Sequence, residues 1–91
     1  MIRYTVTYTR NALSALAREW LNAADRRAVT DAGDEVDRQL AFDAPDKGEE
    51  VREGLRRLVV PPLQVQYTVH ENDRTVTVWT VRAVADSVND S

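Results

Sequence analysis

At 91 residues, with 43% apolar and 30% charged side chains, the chain holds one compact domain spanning 1–91 and is neither disordered nor fibrous. Twelve basic against fifteen acidic residues give a net charge of −3, which weakens any reading in which the whole surface attracts nucleic acid and allows only a local basic patch. With no Cys, thiol catalysis, disulfides and Cys-ligated zinc are excluded, and a reducing, cytoplasmic setting is the expectation.

A chain this short buries only somewhat more than roughly 60% of its unfolded surface, so an oligomer or a complex is expected. The longest apolar stretch, Leu58-Val59-Val60, runs into Pro61-Pro62, too short for a membrane span or a signal sequence.

Ile2, Tyr4, Val6 and Tyr8 alternate with Arg3, Thr5 and Thr7, which predicts a half-buried first strand. The period then changes: Leu13, Leu16, Ala17, Trp20 and Leu21 lie on one side of an amphipathic helix capped by Thr9 or Asn11. A break near Asn22 and a cap at Asp25 begin a second helix, with Val29, Ala32, Val36 and Leu40 repeating along one face. Gly33 within it costs roughly 1 kcal/mol against Ala, a cost that close approach of the first helix would explain. Residues 42–48 read as a turn around Pro45. Three strands follow, over 55–60, 63–69 and 75–81, with Pro61-Pro62 and Glu71-Asn72-Asp73-Arg74 between them. Three successive antiparallel strands make a meander that the first strand is able to join. The order β-α-α-β-β-β, both helices on one sheet face, is an α+β two-layer domain, with 83–91 expected as a flexible tail.

Acidity is confined to the second helix, the loop after it and the tail. Residues 34–53 carry net −5, whereas 1–33 and 54–85 are each +2. His70 is the only histidine and has no second ligand at metal spacing; Asp31, Asp34, Glu35 and Asp37 read as a solvated helix face, and no glycine run cradles a phosphate. Ser14, Ser87 and Ser91 lack a nucleophile elbow. No metal and no cofactor is expected. What remains is arginine, which supplies eleven of the twelve basic residues. Arg52, Arg56 and Arg57 lie before or on the second strand, Arg74 lies at the hairpin and Arg82 at the end of the last strand. Strand neighbours alternate faces, so only one of Arg56 and Arg57 shares the helix-free face, where Gln64, Gln66, Thr68 and His70 stand with Arg3, Thr5 and Thr7. Such a face suits a phosphate backbone or an acidic peptide; the plain alternative is a solvated surface. In the last strand both rows are apolar. Either a bulge near Trp79-Thr80 turns Val81 inward, or Trp79 faces away from the helices and marks a contact with another chain.

An N-terminal strand, a helix over 12–20, a second helix ending Leu40-Ala-Phe-Asp-Ala-Pro, then Arg-Arg-Leu, Leu63-Gln-Val-Gln-Tyr-Thr-Val69 and Val76-Thr-Val-Trp-Thr-Val81 together resemble the RelE/ParE superfamily of toxins from bacterial toxin–antitoxin pairs, including plasmid-stabilisation systems. The resemblance spans residues 3–82 and rests on element order and loose hydrophobic motifs. It implies a small cytoplasmic toxin held inactive by a cognate antitoxin. RelE-like members cut messenger RNA on the ribosome, using basic residues on the sheet and often a His or Tyr near the C-terminus; ParE-like members poison DNA gyrase. In the nuclease branch the third strand carries Arg where this chain has Gln64, and the last strand runs into a basic segment, whereas here Arg82 is followed by small and acidic residues. A neutral amide does not stabilise the charge of a phosphorane-like transition state as a cation does.

The resemblance therefore implies a toxin-like protein acting by protein binding, of ParE type, or inactive as a nuclease. The alternative is a ribosome-dependent messenger RNA endonuclease with Arg56, Arg57 and Arg82 as catalytic candidates; a further alternative is a non-toxic interaction module. Arg52, Gln64, Gln66, Arg74 and Trp79 are the expected partner or RNA surface. The expected partners are a cognate antitoxin, then DNA gyrase or the ribosome according to branch, with a homodimer as a further option and no membrane.

Overall fold

The computed structural model describes residues 3–84. Its elements are β1 (Thr5–Tyr8), α1 (Arg10–Asn22), α2 (Arg26–Asp43), a 3-10 turn (Ala44–Asp46), β2 (Glu49–Arg52), β3 (Leu55–Val60), β4 (Leu63–His70) and β5 (Thr75–Ala83). Ile2, expected in the first strand, and most of the expected tail, 85–91, lie outside the described residues. The expected α+β arrangement is present: one five-stranded sheet in the order β1-β5-β4-β3-β2, with both helices on one face. β3, β4 and β5 form the antiparallel meander, and β1 joins it alongside β5 in parallel.

The helix boundaries follow from side-chain caps. Thr9 accepts a bond from the Ala12 amide at 3.1 Å, and Asp25 accepts one from the Ala28 amide at 3.1 Å. Each such cap is worth about 1 kcal/mol by satisfying an amide that the helix leaves unpaired. α2 docks by the expected row: Val29, Ala32, Val36 and Leu40 are all buried. Opposite them the sheet contributes Leu63, Val65, Tyr67, Val76 and Val78, which close one continuous apolar core.

Two expectations are corrected. α1 does not dock by its large apolar residues, for Leu13 is 53% and Leu21 60% exposed. Instead Ala12 is fully buried, and Ala15, Leu16 and Ala23 pack beside it, so the helix rests on β5 through mostly small side chains and turns the bulky row outward. Gly33 serves no close approach either, since a Cβ built there meets nothing within 4 Å.

The fifth strand is an addition to the expected order. After the 3-10 turn, Gly48 adopts φ +66, and a Cβ there would collide with the Arg57 carbonyl; the chain thereby turns β2 tightly onto β3. Gly54, at φ +83, then closes the two-residue turn back into β3. No helix among the described residues is long and apolar enough to cross a membrane.

Candidate functional site

The helix-free face of the sheet is built by strand alternation, and the register assigns every candidate to a side. Gln64, Gln66, Thr68 and His70 alternate with the core residues of β4 and face away from the helices. Arg57 stands opposite Gln66, and Arg82 stands opposite Gln64, so both arginines share this open face. Arg56 stands opposite the buried Tyr67 and points to the helix side, where its Nε donates to the Lys47 carbonyl at 2.9 Å. Arg56 is thus a clamp on the turn before β2 and drops out as a surface or catalytic candidate. Tyr67 shares that turn: its hydroxyl lies 2.9 Å from the Ala44 carbonyl and 2.7 Å from that of Lys47. Burial pushes the Tyr67 hydroxyl above its ordinary pKa, and the nearby Arg56 guanidinium partly offsets the rise.

Trp79 settles the puzzle of the last strand. Gln66 pairs with Thr80 and Tyr67 with Val78, which leaves Trp79 as the extra residue of a bulge. The bulge resets the alternation, so Val81 turns inward and is buried, while Trp79 stays on the open face, 47% exposed. Its indole Nε1 donates to the Thr68 hydroxyl at 2.9 Å, which ties the ring to β4. Thr80 Oγ1 lies 3.5 Å from Gln66 Oε1. Around the ring the face is neutral: Thr7, Thr77 and Thr68 form one row across the sheet, and Gln66 and Gln64 follow Thr68 along β4.

Charge on this face is sparse. Arg57 is held by Glu49, its partner across the β2–β3 pair, at 2.6 Å. A pair this exposed is worth about 0–1 kcal/mol, yet any anion must compete with it. Arg82 makes no ion pair among the described residues and is a cation available to a ligand there. Strand spacing puts Arg57 and Arg82 roughly 12 Å apart, two strands across and two residues along. His70 lies six residues from Gln64, roughly 20 Å along β4, so it does not reach Arg82.

The remaining candidates separate. Arg52 is exposed at the end of β2 beside the Glu53-Gly54 turn. Arg74 occupies the β4–β5 hairpin at the far end of the sheet, where its carbonyl accepts the Thr5 amide at 2.8 Å. Arg3 leaves the expected face: its guanidinium stacks over the Phe42 ring of α2 at 5.7 Å. The arrangement therefore gathers Arg57, Arg82, Gln64, Gln66 and Trp79 and disperses Arg52, Arg56 and Arg74. Among the described residues no carboxylic acid or imidazole stands beside Arg82 to act as acid or base, and no three His, Asp or Glu side chains converge on a metal position.

A second surface lies on the other layer. Between α1 and α2 runs a groove of about 510 Å³, walled by Leu13, Leu16, Ala17 and Trp20 on one side and by Thr30, Gly33, Asp34 and Asp37 on the other. Sequence periodicity finds the α1 residues but not their direction; the three alanines at 12, 15 and 23 are the signal that the small row, not the large one, meets the sheet.

No protein-family model and no curated protein matches this sequence. Solved structures do match in fold. A chain of the toxin–antitoxin complex RelBE2 from Mycobacterium tuberculosis superposes with TM-score 0.78 at 20% identity, over 94% of this chain and 97% of that one. A chain of the chromosomal ParDE toxin–antitoxin system from P. aeruginosa gives 0.72 at 16% identity, over 91% and 98%. The isolated E. coli RelE toxin gives 0.62 at 14%, over 92% and 87%. The chain has a RelE/ParE-like toxin fold.

Proposed function

We propose that this protein is a toxin-like component of a bacterial toxin–antitoxin pair, cytoplasmic, and that it acts by binding a target protein through the open face of its sheet, in the ParE manner, rather than by cutting RNA. The observation that carries the reading is the face itself: an exposed Trp79 set among threonines and glutamines, with Arg57 already bound to Glu49 and Arg82 making no ion pair among the described residues. A partly exposed tryptophan with arginines elsewhere on the same face is a composition found in protein-binding hot spots. A phosphodiester-cleaving site needs cations on the scissile phosphate and an acid or base within about 3 Å of the moving proton, and the groups beside Arg82 are amides and hydroxyls. The fold shared with toxin–antitoxin structures supports the pairing with a cognate antitoxin. DNA gyrase is the target this reading favours.

The endonuclease reading keeps one observation in its favour. Arg57 and Arg82 stand on one face on either side of Gln64 and Gln66, spaced to touch two phosphates of one strand.

Inducible expression in bacteria separates the two, with growth, messenger RNA ends and plasmid supercoiling followed in one culture. Growth arrest with intact messages and altered supercoiling, relieved by Trp79→Ala, is the expected result. Cleavage at ribosomal positions that Arg82→Ala reduces by about 100-fold or more would establish the endonuclease instead. Unimpaired growth at confirmed soluble expression would leave a non-toxic interaction module.

A further inference from the structure

The turn that leads into β2 is pinned from three directions. Arg56 donates to the Lys47 carbonyl through Nε at 2.9 Å and to the Gly48 carbonyl through Nη2 at 3.3 Å. The Tyr67 hydroxyl donates to the same Lys47 carbonyl at 2.7 Å. Gly48 lies directly against β3, where a Cβ would collide with the Arg57 carbonyl. The next residue is Glu49, and the pinned turn sets it in register opposite Arg57. Strand alternation sends both side chains to the open face, where the carboxylate meets the guanidinium at 2.6 Å. Glu50, one residue on, stands opposite Arg56 and turns to the other side, where its carboxylate accepts the Gly54 amide at 3.2 Å. The Glu49–Arg57 pair is open to solvent, with 69% of the Glu49 and 36% of the Arg57 side chain exposed, so it adds little to folding. Its place on the face is what counts. Arg57 and Arg82 lie on either side of Gln64 and Gln66, and without the carboxylate they would offer two cations to one chain of phosphates.

From this arrangement we infer that Glu49 is the specificity-determining residue of the open face: its carboxylate holds the position on Arg57 that a backbone phosphate would take, and so keeps single-stranded RNA off a surface otherwise spaced to bind it. An arriving phosphate has to displace the carboxylate and then lie beside a like charge. A protein surface seated on Trp79, on β5, meets neither obstacle. Because the turn before Glu49 is fixed by Arg56, Tyr67 and Gly48, the carboxylate is returned to Arg57 whenever it swings away. The inference rests on the protein-binding reading only for what the face holds in place of RNA.

The test titrates the whole protein into a fluorescein-labelled oligouridylate of about ten nucleotides and reads anisotropy over a range of salt concentrations. Glu49→Gln keeps the shape of the side chain and removes its charge. Glu50→Gln removes the same charge from the other side of the same strand. Both positions are exposed, and circular dichroism verifies the fold. At about 50 mM salt Glu49→Gln is expected to tighten binding by about tenfold, and to steepen the log–log salt slope by about 0.7, as one further phosphate contact does on a single strand. Glu50→Gln is expected to change affinity by less than about twofold, and adding Arg57→Gln to Glu49→Gln is expected to restore the unsubstituted protein's affinity. Equal gains in the two single variants would assign the effect to net charge and overturn the inference. A gain that survives Arg57→Gln would overturn it too, and so would no gain at all. If the unsubstituted protein cuts messages in the growth assay while the Glu49→Gln gain holds, the protein-binding reading fails and this one stands. Altered supercoiling with no gain in Glu49→Gln keeps that reading and removes this one.

Discussion

The β4–β5 pair and helix α1 contain similar shares of apolar residues and use them in opposite ways. In β4 and β5 the alternating residues Leu63, Val65, Tyr67, Val76, Val78 and Val81 all face the core, and the bulge at Trp79 keeps the alternation in phase across the last turn of the strand. In α1 Ala12, Ala15 and Leu16 face the core, whereas Leu13, Leu21 and Trp20 face out. The difference teaches that apolar periodicity marks a buried face only when a partner element is in reach. A strand in the middle of a sheet has the helices above it, whereas nothing among the described residues covers the outer side of α1.

One substitution made in both regions tests this most sharply. Leu40→Ala removes a fully buried side chain and is expected to cost about 2–5 kcal/mol, through lost transfer energy and the cavity left behind. Leu21→Ala, at 60% exposed, is expected to change stability by less than about 0.5 kcal/mol. Urea denaturation of the two proteins reads both. A Leu21→Ala cost near that of Leu40→Ala would mean that the outer side of α1 is covered in solution, and the contrast between the regions would collapse.

Much of the fold is legible in the sequence because its signals are local. The strand alternation, the two caps, the helix break at Asn22 and the meander all come from neighbours within four residues. β2 is missed because Glu49–Arg52 is charged and wholly exposed, as an edge strand protected from aggregation tends to be; the Glu53-Gly54 pair before Leu55 was its only trace. The open face is legible to the level of Gln64, Gln66 and the Trp79 alternatives. The choice between Arg56 and Arg57 is not, because it depends on register against β4, a long-range property that no window of the sequence contains. Arg3 fails for a similar reason: its ring partner, Phe42, is 39 residues away.

The turn behind β2 offers a second, smaller contrast, between a hydroxyl that is buried and the exposed polar groups of the open face. Tyr67→Phe keeps the ring and removes the hydroxyl, leaving the Ala44 carbonyl without that donor, so a loss of about 1–2 kcal/mol is expected. The pH dependence follows with the same residue. Tyr67 is raised by burial, Tyr4 by its bond to Glu71, and Tyr8 by burial together with Asp37. A hydroxyl raised in the folded state keeps its proton while the unfolded chain loses it, so its contribution is complete below the ordinary tyrosine pKa of about 10 and declines as pH climbs through the higher folded value. Stability measured by urea is expected to be flat from about pH 7 to 9 and to fall above about 10, less steeply in Tyr67→Phe. A fall of unchanged slope in that variant would place the alkaline sensitivity in Tyr4 and Tyr8 alone. By comparison Thr80→Val on the open face, where the hydroxyl is 3.5 Å from its partner, is expected to change stability by under about 0.5 kcal/mol.

A small gain, rather than a loss, is expected at the hairpin joining the two best-packed strands. Arg74 holds φ +50, the left-handed region that a side chain with a Cβ enters at a cost of roughly 1–2 kcal/mol. It stays there because its carbonyl accepts the Thr5 amide and its amide reaches the Glu71 carbonyl, so the residue ties β1 to the end of the β4–β5 pair. Glycine enters that region freely but has more freedom to lose on folding, so Arg74→Gly is expected to stabilise by about 0.5–1 kcal/mol. Because the guanidinium sits at the opposite end of the sheet from Arg82, the same substitution is expected to leave target binding through Trp79 unchanged. A loss of binding in Arg74→Gly at equal or greater stability would extend the open-face surface along the whole length of β4, from Gln64 to the hairpin.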